Sequence, residues 1–340
     1  MRYSLVFAAL VLTVPPGGAL GANEKPAPVR PPSRAEARAV CDMIAARGPA
    51  IRAMLVKDGV LDANNDGVAD AVTVGMSEGT MRGDVLQFRP RGAAKDSPAV
   101  DVNPEGFQPG DYLPFGARWL AHGGRVYTLY FDTETLRHAS YLGYIDARNT
   151  ERLVCDFSVT ERETLRPAGG RGADALCRAV AQKTASYAPL IESEDADPEM
   201  DTGRRETRVT GRITLDFANS GAPAPLALLA YESGAGRGCD FSYFDVVTGS
   251  GIASSGDAHA TLMKLQGVEP EQGQTSGSCD SAVPRWLSFG GLNYLDIASR
   301  RESVDPFHEV RLVRKGRIET RCKGAFAVRW QVKSMGPDFQ

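Results

Sequence analysis

No stretch of the chain approaches the roughly 18 consecutive apolar residues that a membrane-crossing helix needs, so membrane insertion is not expected. The sequence also lacks a CxxC pair, which weakens thioredoxin-like and zinc readings. It has no Asn-x-Ser/Thr sequon and none of the GxSxG, HExxH, SxxK or P-loop signatures. Its only histidines, His122, His138, His259 and His308, are scattered, and no nucleophile stands beside any of them in a known spacing. A net charge of −3 leaves no basic surplus for nucleic acid or an anionic surface. These absences argue against an enzyme with a local signature. An Asp/Glu pair that only folding brings together leaves no spacing to read, so a hydrolase of that kind stays open.

What is present begins with MRYSLVFAALVLTVPPGGALGA. Arg2 precedes a short apolar run, Pro15-Pro16-Gly17-Gly18 breaks it, and small residues follow. That layout predicts a cleavable secretory signal over residues 1–22. Asn23–Ser33 holds four prolines in eleven residues and reads as an extended linker. Export implies an oxidising compartment, periplasmic or extracellular, where the six cysteines would pair.

The pairing is suggested by an internal repeat. RWLAHGGRVY (Arg118–Tyr127) returns as RWLSFGGLNY (Arg285–Tyr294). Trp119 lies 36 residues before Cys155, and Trp286 lies 36 before Cys322, so these stretches overlay without a gap. AVCDMIA around Cys41 likewise matches ALCRAVA around Cys177. The order is thus written twice, and the expected bridges are Cys41–Cys155, Cys177–Cys322 and, for the leftover pair, Cys239–Cys279. Each of the first two closes a loop of more than 100 residues, a stabilisation of about 4–5 kcal/mol in the chain-entropy treatment.

The predicted fold is α+β. Two tandemly duplicated domains, 34–165 and 174–334, each place an N-terminal helix on an antiparallel sheet. Ser33 and Glu36 form a capping box for the first helix, which Gly48-Pro49 ends. Asp174 is expected to cap the second helix, which runs toward Pro189. ADAVTVG, ETRVTGRITLDF and LALLAYES read as strands. Gly123-Gly124 is the turn of a hairpin, since a Gly-Gly pair accepts the positive φ that a tight turn of matching twist requires. The second copy is longer between its first Cys and its Trp. The Gly- and Ser-rich run Val247–Ser281 is the expected inserted loop, with His259 exposed in it.

One stretch carries chemistry. LDANNDGVAD offers oxygen at Asp62, Asn64, Asp66, the Val68 carbonyl and Asp70, around a bend at Gly67. Calcium takes six to eight oxygen ligands, and such a loop supplies most of them. The stretch resembles the calcium loops of FG-GAP/VCBS-type repeats and, more loosely, the EF-hand. It departs from the EF-hand at Thr73, where a bidentate Glu belongs. The resemblance covers these ten residues and implies calcium as cofactor; the same residues also make good Asx-turn chemistry. The second copy shows no such donor spacing, only an acidic cluster from Glu192 to Asp201.

The reading is an exported, non-enzymatic binding protein, disulfide-stapled, with one calcium loop and a protein partner in the cell envelope. A periplasmic inhibitor or immunity protein is its sharper version, with the Cys239–Cys279 insertion as binding surface. The alternative is a cell-envelope hydrolase using an Asp/Glu pair.

Overall fold

The structure is a computed structural model that describes residues 27–76, 83–93, 97–102, 116–133, 135–192, 207–231, 241–249, 251–253, 255–269, 274–275, 284–299 and 305–340. The expected signal segment, Cys239, Cys279 and most of the acidic cluster lie outside them.

The chain opens with helix α1, Arg34–Arg47, on the expected capping box: the Ser33 hydroxyl accepts the Glu36 amide, and the Glu36 carboxylate accepts the Ser33 amide. A 3₁₀ segment, Gly48–Met54, follows. Then come β1 (Leu55–Val56), β2 (Gly59–Leu61), β3 (Asp70–Met76), β4 (Asp84–Arg89) and β5 (Val100–Asp101). The hairpin β6 (Gly116–His122) and β7 (Arg125–Phe131) leads into β8 (Ala139–Ile145) and the long β9 (Glu151–Pro167).

The second half starts with α2 (Ala173–Ala181), β10 (Ser186–Tyr187), β11 (Ile191–Glu192) and β12 (Thr207–Leu215). It continues through β13 (Ala224–Tyr231), β14 (Phe241–Thr248), β15 (Gly251–Ile252) and helix α3 (Asp257–Gln266). A ribbon of β16 (Val268–Glu269) and β17 (Gln274–Thr275) precedes β18 (Arg285–Phe289), β19 (Leu292–Ser299), β20 (Phe307–Arg314) and β21 (Arg317–Met335).

All pairings among the described strands are antiparallel, and the helices are few. Ten strands make one sheet in the order β1-β6-β7-β8-β9-β21-β20-β19-β18-β10. Read from either edge, that order meets a two-residue strand, the Trp-bearing hairpin, a third strand and a long central strand. The halves meet where β9 pairs with β21, with Glu161 opposite Val328 near the midpoint. Both predicted hairpins form, Trp119 opposite Thr128 and Trp286 opposite Leu295, with positive φ at Gly123, Gly124, Gly290 and Gly291. Smaller sheets, β2-β3-β4-β5 and β11-β12-β13-β14-β15, lie beside each half.

Helices α1 and α2 cover one face of the large sheet. Ala37, Val40, Cys41 and Ile44 of α1 share a core with Leu129, Leu142 and Cys155, and also with Trp330 of the other half's central strand. Leu176, Cys177 and Val180 of α2 pack with Leu287, Tyr294, Val310 and Cys322. The disulfides Cys41–Cys155 and Cys177–Cys322 are formed, and each ties a helix to a central strand. No described helix is long and apolar enough to cross a membrane.

Several local expectations change. Asp174 does not cap α2; Gly172 precedes it with φ 79°, and no side chain caps the end. The helix stops at Ala181, and Tyr187 lies in β10 instead. The equal 36-residue spacings conceal two offsetting differences. Asp296 pairs with Val310, 14 residues on, where Leu129 pairs with Leu142, 13 on; Val313 then pairs with Ile318, five on, where Ile145 pairs with Glu151, six on. The run 247–281 is not all loop, because α3 sits inside it. His259 is buried there, with Nδ1 2.8 Å from Asp245 Oδ1. Gln266 accepts the Phe244 amide and donates to the Phe244 carbonyl, so its amide group acts as a strand partner for β14.

Candidate functional site

The acidic loop comes first. Asp62 accepts the amides of Asp66 and Gly67, both at 2.9 Å. Asp66 accepts the Val68 amide at 2.8 Å, and Asp70 accepts the Ala63 amide at 3.1 Å. Asn64 donates to Asn149 at 2.8 Å. Burial, with the Asp66 and Asp62 charges adding to it, pushes the Asp70 carboxyl up to about 6. Among the described residues no group of three or more His, Cys, Asp or Glu side chains is placed to hold a metal ion.

The residue that anchors this loop is one that donor spacing passed over. Asn65 is 1% exposed with φ 54°. Its amide donates to the carbonyls of Val126 (3.0 Å) and Ile145 (2.8 Å), and its oxygen accepts the Val126 amide (2.9 Å). The second half repeats the device. Asn219, also at φ 54°, donates to the Asn293 and Val313 carbonyls, both at 3.0 Å, and accepts the Asn293 amide at 2.7 Å. Asp216 accepts the amides of Ser220 and Gly221 as Asp62 does those of Asp66 and Gly67. The shared signature is Asp-x-x-Asn-x-Gly, at 62–67 and 216–221. One carboxylate suffices to close the second turn, so the shape of the loop does not depend on a cation. Leu61 pairs with Asp70 and Leu215 with Ala224, so β2 and β3 match β12 and β13. Part of the second half's extra length therefore lies before Asp216, in β11 and β12, rather than all within 247–281.

The second site is a cleft beside α2, lined by the second half together with Glu163 and Leu165 of β9. Beyond the end of α2, a cavity of about 490 Å³ is lined by Glu163, Lys183, Tyr187, Arg285, Asp296 and His308 among others. A polar row crosses the sheet beneath it. His308 on β20 presents Nδ1 to Glu163 on β9 in a short contact, and Nε2 to Asp296 on β19 at 2.6 Å. The Tyr187 hydroxyl donates to the other Asp296 oxygen. β21 lies between β9 and β20, and His308 can reach over it only because Gly324 has no side chain. A Cβ there would meet the His308 Cβ at 3.0 Å.

Burial alone would push the His308 imidazole down. The hydrogen bonds and charges of Asp296, then Glu163, outweigh it and hold the ring above its ordinary pKa. An imidazolium donating from both nitrogens has no lone pair with which to act as a base. Burial, with Asp296 beside it, likewise raises the Tyr187 phenol. The Arg285 guanidinium lies 3.9 Å over the Tyr187 ring. Neither Arg285 nor Lys183 has an ion-pair partner among the described residues.

The register shows what fills the matching place in the first half. Phe157 follows Cys155 by two residues as Gly324 follows Cys322, and Trp330 follows Cys322 by eight as Glu163 follows Cys155. Leu129 holds the position of Asp296, and Leu55, opposite Leu120, that of Tyr187, opposite Leu287. Phe131, Phe157 and Trp330 pack there edge to ring, and Trp330 Nε1 donates to the Arg137 carbonyl at 2.7 Å. The 3₁₀ segment lays fully buried Ile51 in the same core. From Cys41 to Leu55 the chain takes 14 residues; from Cys177 to Tyr187 it takes ten, too few for such a cover.

No protein-family model, curated protein or solved structure matches this chain.

Proposed function

We propose that the chain is an exported, non-enzymatic binding protein that arose by tandem duplication, its first half structural and its second half carrying a ligand cleft. One observation carries this reading: the position filled by Trp330, Phe157 and Ile51 in one half is, in the other, a cavity ringed by ionisable side chains. Cores fill such space by default, and a cavity with a few convergent polar groups is the usual form of a binding site. The two disulfides fit an oxidising compartment, periplasmic or extracellular. A cell-envelope protein partner, in an inhibitor or immunity role, is the sharper form of the proposal.

The test is a thermal-shift screen of small organic ions against the wild type, Gly324→Phe, which writes the first half's ring into the cleft, and Asp296→Leu, which copies Leu129. Stabilising compounds should appear for the wild type and be lost in both variants. A wild type that no compound stabilises, or compounds that stabilise all three proteins alike, would overturn the reading.

Two carboxylates in one cleft, Glu163 and Asp296, favour the hydrolase as second reading, although His308 fills the space between them. Release of soluble fragments from purified envelope polymer, abolished by Glu163→Gln and by Asp296→Asn, would establish it. Calcium at Asp62, Asn64, Asp66, the Val68 carbonyl and Asp70 is a separate proposal. It is supported by three carboxylates crowded into one loop, with a Kd of about 10⁻⁴–10⁻³ M. Millimolar calcium should then raise the melting temperature of the wild type but not of Asp70→Asn.

A further inference from the structure

The face of the large sheet opposite α1 and α2 carries the small sheets. Trp119 and Tyr130 pack there with Val72, Leu86 and Phe88, and Trp286 and Leu295 with Leu228 and Phe244. Between these two cores the floor is the middle of the β9–β21 ribbon, paired without a bulge from Phe157 opposite Val332 to Pro167 opposite Cys322. Side chains along a strand alternate between faces. Cys155, Phe157 and Glu163 face the helices, so Arg162 and Arg166 project from the other side. Arg329, paired with Thr160, projects with them.

These cations are written at matching places. Arg162 follows Cys155 by seven residues and Arg329 follows Cys322 by seven, while Arg166 and Lys333 follow the same cysteines by eleven. The antiparallel junction turns the two pairs into one row, in the order Lys333, Arg329, Arg162, Arg166, about 30 Å long. Lys333 sits at the bulge after Val332, and Arg329 and Arg162 are diagonal neighbours about 7–8 Å apart. All four are exposed, and none has a hydrogen-bond or ion-pair partner among the described residues. Glu161 and Glu163 belong to the helix face. The carboxylates on the open face stand toward the ends of the row and are engaged: Asp156 accepts the Ser334 hydroxyl at 2.8 Å, and Glu309 accepts from Arg311 at 2.7 Å and lies 3.6 Å from Lys323.

Like charges held close on one sheet face destabilise it. A polyanion laid along the row relieves that repulsion. We infer that this face binds a linear acidic glycan, its acidic groups pairing with Arg162, Arg329, Arg166 and Lys333. The guanidinium fork matches such groups with two parallel hydrogen bonds. Ser158, Thr160, Thr164 and Gln331 stand between the cations and offer hydrogen bonds to sugar hydroxyls, and Ala325 and Ala327 keep the floor low. The row has no aromatic ring on which a nucleic-acid base could stack, and no large apolar side chain for an amphipathic helix to cover. The inference is independent of the cleft, which opens on the helix face.

Four probes are titrated at low salt: a polygalacturonate oligosaccharide, a neutral dextran of the same length, polyglutamate, and a thymidine oligonucleotide of the same charge. Polygalacturonate should bind, at least tenfold more weakly once added salt screens the row, and dextran should not bind. Arg162→Glu and Arg329→Glu, both at exposed positions, should each weaken polygalacturonate at least tenfold, whereas Arg47→Glu on α1 should leave it unchanged. No binding of polygalacturonate, binding indifferent to salt, or binding that survives both reversals would overturn the inference. Polyglutamate or the oligonucleotide binding as tightly as polygalacturonate would overturn it in favour of an unselective anion surface. Gly324→Phe, which fills the cleft, should bind polygalacturonate as the wild type does, so either proposal can fail without the other.

Discussion

Arg118-Trp119 and Arg285-Trp286 occupy the same place in the two halves, yet Asp84 and the Thr73 carbonyl close the first pair, while among the described residues no hydrogen bond or ion pair closes the second. The same contrast runs down the large sheet, where Leu129, Phe157 and Trp330 hold the positions that correspond to Asp296, Gly324 and Glu163. Each half keeps its hairpin, its helix-to-strand disulfide and its Asn-anchored turn. What changes is the filling between helix and sheet. One half can give up packing because the other half, joined to it through β9 and β21, still supplies a continuous sheet and an apolar core.

The contrast can be broken first at its most packed point. Trp330→Ala should destabilise the protein by about 3–5 kcal/mol, through lost ring packing and a cavity. Glu163→Ala, at the matching position, should cost well under half of that in the same denaturant titration. Equal costs would mean that the two positions do comparable structural work.

Next come the two anchoring asparagines. Asn65→Ala removes three hydrogen bonds at a fully buried site, leaving the Val126 amide without its acceptor; a loss of about 2–4 kcal/mol is expected. Asn219→Ala makes the same deletion at a half-buried turn and should cost about half as much, since water can reach the exposed groups. Chemical denaturation of both variants measures the ratio.

The pH dependence separates the halves further. Asp296 and Glu163 hold the His308 pKa above its ordinary value of about 6.5. A raised folded-state pKa gives stability that is complete below the unfolded value and fades as pH rises through the folded one. The melting-temperature gap between the wild type and His308→Gln should therefore be widest in mild acid and narrow above neutrality. A gap constant from pH 5 to 9 would falsify the charged clamp. The smallest expected effect compares helix starts. Ser33→Ala removes a capping-box acceptor and should cost about 1 kcal/mol, while Asp174→Ala, which caps nothing, should change the melt by a few tenths at most.

Much of this was legible in the residues. Gly-Gly between two alternating arms announced each hairpin, Ser33 and Glu36 announced a helix start, and the repeat predicted two bridges that the structure forms. The acidic loop was legible only in part. Alternating oxygen donors suggested a cation, while Asn65, whose contacts lie 61 and 80 residues away, offered nothing local to read. The cleft left no trace. Glu163, Asp296 and His308 stand on three strands far apart in the chain, and each by itself looks like a surface residue of a strand. His259 misled for the same reason, because its partner Asp245 belongs to a strand that α3 covers only after folding.

By itself the sequence determined the local chemistry: where strands turn, where a helix starts, and which cysteines share a unit, because φ preferences, caps and repeated spacings act within a few residues or between matching words. The tertiary structure alone decided which half is filled and which is open. That outcome depends on side chains from β9, β19 and β20 meeting over one glycine of β21, and on a helix-to-strand connection four residues too short to cover them. Packing is a property of neighbours in space, and the chain order does not name them.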